Sequence, residues 1–89
     1  MNIRVERHDQ ETLKKIGVFS WPIWEKEASR FDWHYSEPET CYFLEGEVTI
    51  ETPDGGETDI RAGDYVEFPR GLTCTWNIHK AVRKHYNFG

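Results

Sequence analysis

"FDWHYSEPETCYFLEG" (residues 31–46) begins with aromatics at odd positions, Phe31, Trp33 and Tyr35, separated by polar Asp32, His34 and Ser36. A β-strand turns successive side chains to opposite faces, so this spelling makes one aromatic face and one polar face. Beyond the Glu37–Pro38 break the odd positions continue as Glu39, Cys41 and Phe43. If that face is the interior, a carboxylate and a thiol stand among aromatic rings.

The flanking segments extend the strand pattern. "CYFLEGEVTIE" (41–51) reads as a long strand with a kink or bulge at Gly46, and "TPDGGE" (52–57) supplies hairpin turn residues. "ETDIRAG" and "DYVEFP" read as two short strands about Ala62–Gly63, with a further turn at Arg70–Gly71. "LTCTWNIH" (72–79) alternates Leu72, Cys74, Trp76 and Ile78 against Thr73, Thr75, Asn77 and His79. "VRKHYNF" (82–88) forms a closing strand, with Val82, Tyr86 and Phe88 in one phase and Arg83, His85 and Asn87 in the other. Upstream, "IRVER" (3–7) reads as a short strand. "DQETLKKIG" (9–17) reads as one or two helical turns between an Asp cap and a closing Gly. Pro22 confines any strand near it to an edge or to a start after it.

Many short strands with frequent turns predict an all-β antiparallel sandwich or small barrel. The 89 residues hold one modest core, and residues 1–89 read as a single domain. Hydrophobic content is 37% and aromatic content 15%, so a few large side chains supply most of the buried area. Each such ring contributes roughly 1.5–3 kcal/mol or more when buried. The bulkiest in-phase faces then meet in one interior: Trp33, Tyr35, Cys41, Phe43, Cys74 and Trp76, with Glu39 among them.

Net charge is 11 − 16 = −5, which argues against non-specific binding to nucleic acid or to anionic membranes. No stretch approaches the roughly 18 apolar residues of a membrane span. The N-terminus "MNIRVERHDQ" lacks the apolar region of a signal peptide, and two cysteines are too few for a disulfide scaffold. Free thiols in a reducing cytoplasm are the expectation.

"ETCYFLEGEVTI" followed by "AGDYVEFPRGLTCTW" resembles the two motifs of the cupin superfamily. "WPIWEKEASRFDWHY" and "VRKHYNF" bring the likeness closer to a small single-domain branch, related to the cupin domain of ureidoglycine aminohydrolases. The resemblance spans Trp21 to Phe88. It implies an RmlC-like double-stranded β-helix, the jelly roll, with at most one short N-terminal helix, a pocket in its mouth and homodimers through edge strands. In the metal-binding pattern, two histidines flank one residue, a glutamate follows, and a third histidine comes after the "P-x-G" turn. Glu39 falls on the glutamate position, but the histidine positions hold Trp33, Tyr35 and Cys74. His34 lies between two of them and turns to the opposite face.

Zinc accepts thiolate, imidazole and carboxylate, and an indole is no ligand. Glu39 and Cys74 are the remaining metal-ligand candidates, with Cys41 and Tyr35 as helpers, and a native metal or other cofactor is not expected. Glu39 reads either as a carboxylate held by a hydrogen bond from Tyr35, or as a general acid or base against an apolar wall. Cys74 and Cys41 read as small buried hydrophobes unless a base activates one of them. His85 is the candidate base; its phase otherwise sends it to solvent or an edge. His8, His34 and the charges at 25–27 read as exposed. Trp21 and Trp24 read as core.

Three functions follow as expectations. The first is a small-molecule-binding cupin with a metal-independent pocket of Trp33, Tyr35, Glu39, Cys41, Cys74 and Trp76, taking a small polar metabolite. The second is a hydrolase or isomerase using Glu39 as acid–base, with metal assistance as a variant and Cys74 as the other catalytic candidate. The third is an interaction module with the barrel packed shut.

Overall fold

The computed structural model describes residues 2–89. Its chain runs β1 (Arg4–Glu6), α1 (Gln10–Ile16), a 3-10 turn (Val18–Ser20), then β2 (Ile23–Lys26) and β3 (Ser29–His34). β4 (Glu39–Glu51), β5 (Glu57–Arg61), β6 (Tyr65–Phe68) and β7 (Thr73–Phe88) complete it. All pairings are antiparallel, in the order β1-β6-β4-β7-β2, with β3 also on β7 and β5 also on β4. The sheet is that of a jelly roll. Two segments read separately in the sequence, 72–79 and 82–88, are one continuous strand, and this β7 is the longest element.

Local chemistry explains the helix. Asp9 caps α1 by accepting from the Thr12 N–H at 2.8 Å, Glu11 sits in the first turn, and Gly17 ends it with φ of 90°. Leu13 and Val18 bury against Tyr42 and Tyr65, so the helical segment covers the outer face of β4 and β6. The inner face carries the main core, which includes Tyr35, Phe43, Ile50, Phe68 and Trp76.

β4 and β7 run together for most of their length, interrupted by register irregularities between Phe43 and Val48. Gly46 lies at that irregularity with φ of 104°. A Cβ there would come within 2.5 Å of the Ala81 carbonyl oxygen and 2.8 Å of the Val82 Cα. Only glycine tolerates both the dihedral and the approach. Across the bulge the buried positions change from odd (Cys41, Phe43) to even (Val48, Ile50). The strand thereby keeps its apolar side turned inward while it bends.

Gly46→Ala should therefore lower stability by at least ~2 kcal/mol, combining left-handed strain with displacement of the β7 backbone. A urea titration checks this, and an unchanged midpoint would contradict the close approach.

Candidate functional site

The inner faces of β2, β3, β4 and β7 converge on a cavity of about 180 Å³. Its mouth is marked by Trp33 and Phe88, which are 47% and 43% exposed. Its walls are Trp24, Phe31, Trp76 and Tyr86. Its deep end is polar: Tyr35, Glu39 and Lys84 line it, with Glu39 3% and Lys84 4% exposed.

Strand register places these groups. Glu39 pairs with Phe88 across β4 and β7, and Phe43 pairs with Lys84, so the two charged residues share one face. The flexible Lys84 stem spans the rungs between them. Its Nζ donates to Glu39 Oε2 at 2.8 Å, while the Tyr35 hydroxyl donates to Glu39 Oε1 at 2.7 Å. The Lys84 ammonium also lies 4.5 Å from the Trp76 ring centre, 5.0 Å from Trp24 and 5.7 Å from Phe43. Glu39 is thus a carboxylate with both oxygens engaged, and its counter-ion sits in an aromatic cage. Burial, and then the Glu39 carboxylate, push the Tyr35 phenol well above its ordinary range, so it remains a donor. Its ring stacks on Phe68, with centroids 5.0 Å apart.

Of the six pocket residues expected from the sequence, the structure brings Trp33, Tyr35 and Trp76 to the cavity together with Glu39 as one group. That group also contains Phe31, the first member of the alternating aromatic row. Cys41 and Cys74 are not among the lining residues; both are buried in the main core. Cys41 Sγ lies 3.8 Å from the Val66 carbonyl oxygen, and burial pushes its thiol strongly up. Burial also pushes the Cys74 thiol up to about 11. Neither forms thiolate near neutrality, which removes the condition for a nucleophile.

His85 lies on the other face of β7 from Lys84. It is buried rather than solvated, because the 3-10 turn covers it: Nδ1 donates to the Trp21 carbonyl at 2.9 Å, and Phe19 meets the ring edge-on. It belongs to the helix side of the sheet and forms no base for either thiol. His34 is exposed and bonds the Thr73 hydroxyl at 2.8 Å. His8 is half-buried rather than freely solvated, held by Glu6 and the edge of Tyr65.

Lys84 is the charged site residue that sequence reasoning missed, and Trp24, Tyr86 and Phe88 join the lining without having been assigned to the pocket. Lys84 shares the phase of Val82, Tyr86 and Phe88, which is the signal that could have found it.

The donor set does not fit the metal that the cupin pattern implies. Trp33 offers no ligand atom, the Tyr35 phenol stays protonated, and Cys74 does not reach the cavity. The remaining carboxylate already holds the Lys84 ammonium. Among the described residues, no group of three or more His, Cys, Asp or Glu side chains is placed to hold a metal ion. No helix among them is long and apolar enough to cross a membrane.

Residues 13–86 match the EutQ-like cupin domain family. A crystal structure of a DUF861-family protein from Thermotoga maritima is 50% identical and superimposes with a TM-score of 0.96, covering 99% of this chain and 100% of that one. A putative ethanolamine utilization protein Q from Salmonella typhimurium is 24% identical over 74% of this chain and 53% of that one, with a TM-score of 0.67. The EutQ protein of Clostridium difficile is 23% identical over 74% and 52%, with a TM-score of 0.68. The chain spans about half of each EutQ protein, and that likeness shows the fold. No curated protein sequence matches the chain.

Lys84→Met should cost ~3–5 kcal/mol at neutral pH, because it strands a buried carboxylate. Glu39→Gln should cost less, about 1–2 kcal/mol, since Lys84 keeps its rings and an amide oxygen to donate to. The double variant should be more stable than Lys84→Met alone; equal effects of the two single changes in urea would refute this asymmetry.

Alkaline pH tests the thiols. Cys74 holds its proton more tightly folded than unfolded, so its contribution is complete below the ordinary value of 9.0 and lost as pH rises toward about 11. The unfolding midpoint should fall over that window, and less steeply in Cys74→Ala. A profile identical in the variant would contradict it.

Proposed function

Given that the chain belongs to the EutQ-like cupin domain family, we propose that it is a small-molecule-binding cupin whose pocket works without a metal. One observation carries this reading: a buried Tyr35–Glu39–Lys84 group opens onto an aromatic cavity. Burying two charges costs several kcal/mol each before their attraction offsets it, and an apolar filling of the same volume is often as stable. Polar groups retained at such a cost beside a cavity are better accounted for by ligand recognition than by stability. The aromatic mouth supplies contact area, and the deep polar group supplies orientation.

The same geometry also supports a second reading, a hydrolase or isomerase of a small metabolite. There Glu39 serves as acid–base, and the Tyr35 hydroxyl orients it through the hydrogen bond to Oε1. The closed-barrel module is less well supported, because Trp33 stands at the rim instead of plugging the interior. Homodimerisation through edge strands belongs to the proposal: β1 and β5 each pair on one side only.

A thermal-shift screen of small metabolites and divalent metals, run beside metal analysis of protein purified without chelators or immobilised metal, tests the reading. A metabolite should raise the midpoint, and Glu39→Gln should weaken that ligand about tenfold or more while remaining folded. Stoichiometric metal would overturn metal independence. Ligand handling unchanged in Glu39→Gln would make that residue structural.

A further inference from the structure

Resting on the small-molecule reading above, we propose that the cavity takes a neutral, single-ring, flat ligand with a hydrogen-bond acceptor and donor side by side on one edge, as in a carboxamide or lactam. Four properties of the cavity lead there.

Size comes first. At about 180 Å³ the cavity is smaller than the ~300–1,000 Å³ typical of drug-sized sites, so it admits one ring with a short substituent. Wall chemistry comes second: seven of its nine lining residues are aromatic, which favours a flat π-system over a saturated or highly hydrated molecule.

Charge is the third property and the most discriminating. Among the described residues, the only ionic side chains lining the cavity are Glu39 and Lys84, and they neutralise one another at 2.8 Å. An anion entering the deep end would meet a cation already committed and a carboxylate that repels it. A cation would have to displace Lys84, which already occupies the place over Trp76 and Trp24 that a cation would seek. Either ion loses hydration without gaining a free counter-charge. A neutral ligand meets no such barrier.

Hydrogen-bonding capacity is the fourth. Lys84 uses one of its three protons on Glu39, and each Glu39 oxygen accepts one bond where it has room for two. A donor and an acceptor with spare capacity therefore lie side by side. The C=O and N–H of an amide edge match them: Lys84 donates to the carbonyl, and Glu39 accepts from the N–H. This exchange leaves the ion pair intact.

The test is a titration of the wild-type protein with four probes: benzamide, benzoate, benzylammonium and cyclohexanecarboxamide. Binding is followed by the indole N–H resonances of Trp24, Trp33 and Trp76, with Trp21 as the control outside the cavity. Benzamide should give saturable shifts at the three cavity indoles and none at Trp21. Benzoate and benzylammonium should bind at least about tenfold more weakly, the loss expected where a site leaves a buried polar or charged group unmatched. Cyclohexanecarboxamide should fall between. If benzoate or benzylammonium binds at the cavity indoles as tightly as benzamide, the neutral class is wrong while the pocket reading stands. If benzamide moves none of these indoles but a screened metabolite does, the amide edge is likewise wrong and the pocket reading again stands. If neither benzamide nor any screened metabolite moves them, both proposals fall.

Discussion

The fold turns on the place where β4 passes within van der Waals range of the β7 backbone at Gly46. A strand as long as β4 cannot remain flat and still enclose a core, so it must bend against its partner. The bend occurs where no side chain stands between the two backbones. It shifts the strand by one residue of phase, so that Cys41 and Phe43 before it and Val48 and Ile50 after it all face inward. Without that phase change, half of β4 would present Thr49 and Glu51 to the core instead. The curvature that encloses the aromatic interior and the cavity at one end of it follows from this single contact.

Once the sheet curls, the odd positions of β4 before Gly46 and the even positions of β7 become neighbours on one inner face. Glu39 stands at the start of β4 and Lys84 near the end of β7, and antiparallel pairing brings them to the same side. An unpaired carboxylate in an aromatic interior would be costly enough to threaten a domain of this size. The lysine relieves that cost twice, by its charge and by its cage of rings. Tyr35 completes the arrangement from β3's end, stacked on Phe68 so that its hydroxyl is held against Glu39. The pocket's polarity and the barrel's stability therefore share three side chains.

Much of this was legible in the residues, and the parts that were not share one cause. The aromatic alternation at 31–35, the Gly46 kink and the "TPDGGE" hairpin are local signals, and each strand they imply is present. Glu39, Tyr35 and Trp76 were legible as inward-facing because parity is a local property too. Lys84 obeys the same parity, yet a lysine by type belongs to the surface, and only a partner 45 residues away makes its burial tolerable. Such a partner is invisible until strand order is known. The same holds for His85, whose burial depends on the 3-10 turn folding over it from the N-terminal end. The cysteines were misplaced relative to the cavity for a different reason. Parity assigns a face, but depth along the barrel depends on which larger side chains fill the space, and it is the rings that line the opening.

The cupin frame ordinarily presents a carboxylate and imidazoles to a mobile cation that arrives from solution. In this chain the position facing the carboxylate is filled by a cation attached to the backbone. The difference is physical as well as compositional. A bound metal can exchange ligands and let a substrate oxygen enter its coordination sphere, whereas an ammonium has a fixed tether and directs only hydrogen bonds. Its charge is also already compensated by Glu39. What the site can then offer an incoming molecule is a donor and an acceptor set among aromatic rings, with little net field. Under the proposed small-molecule reading, discrimination comes from shape and from the pairing of hydrogen bonds, because leaving a buried donor or acceptor unmatched is costly even where charge attraction is absent.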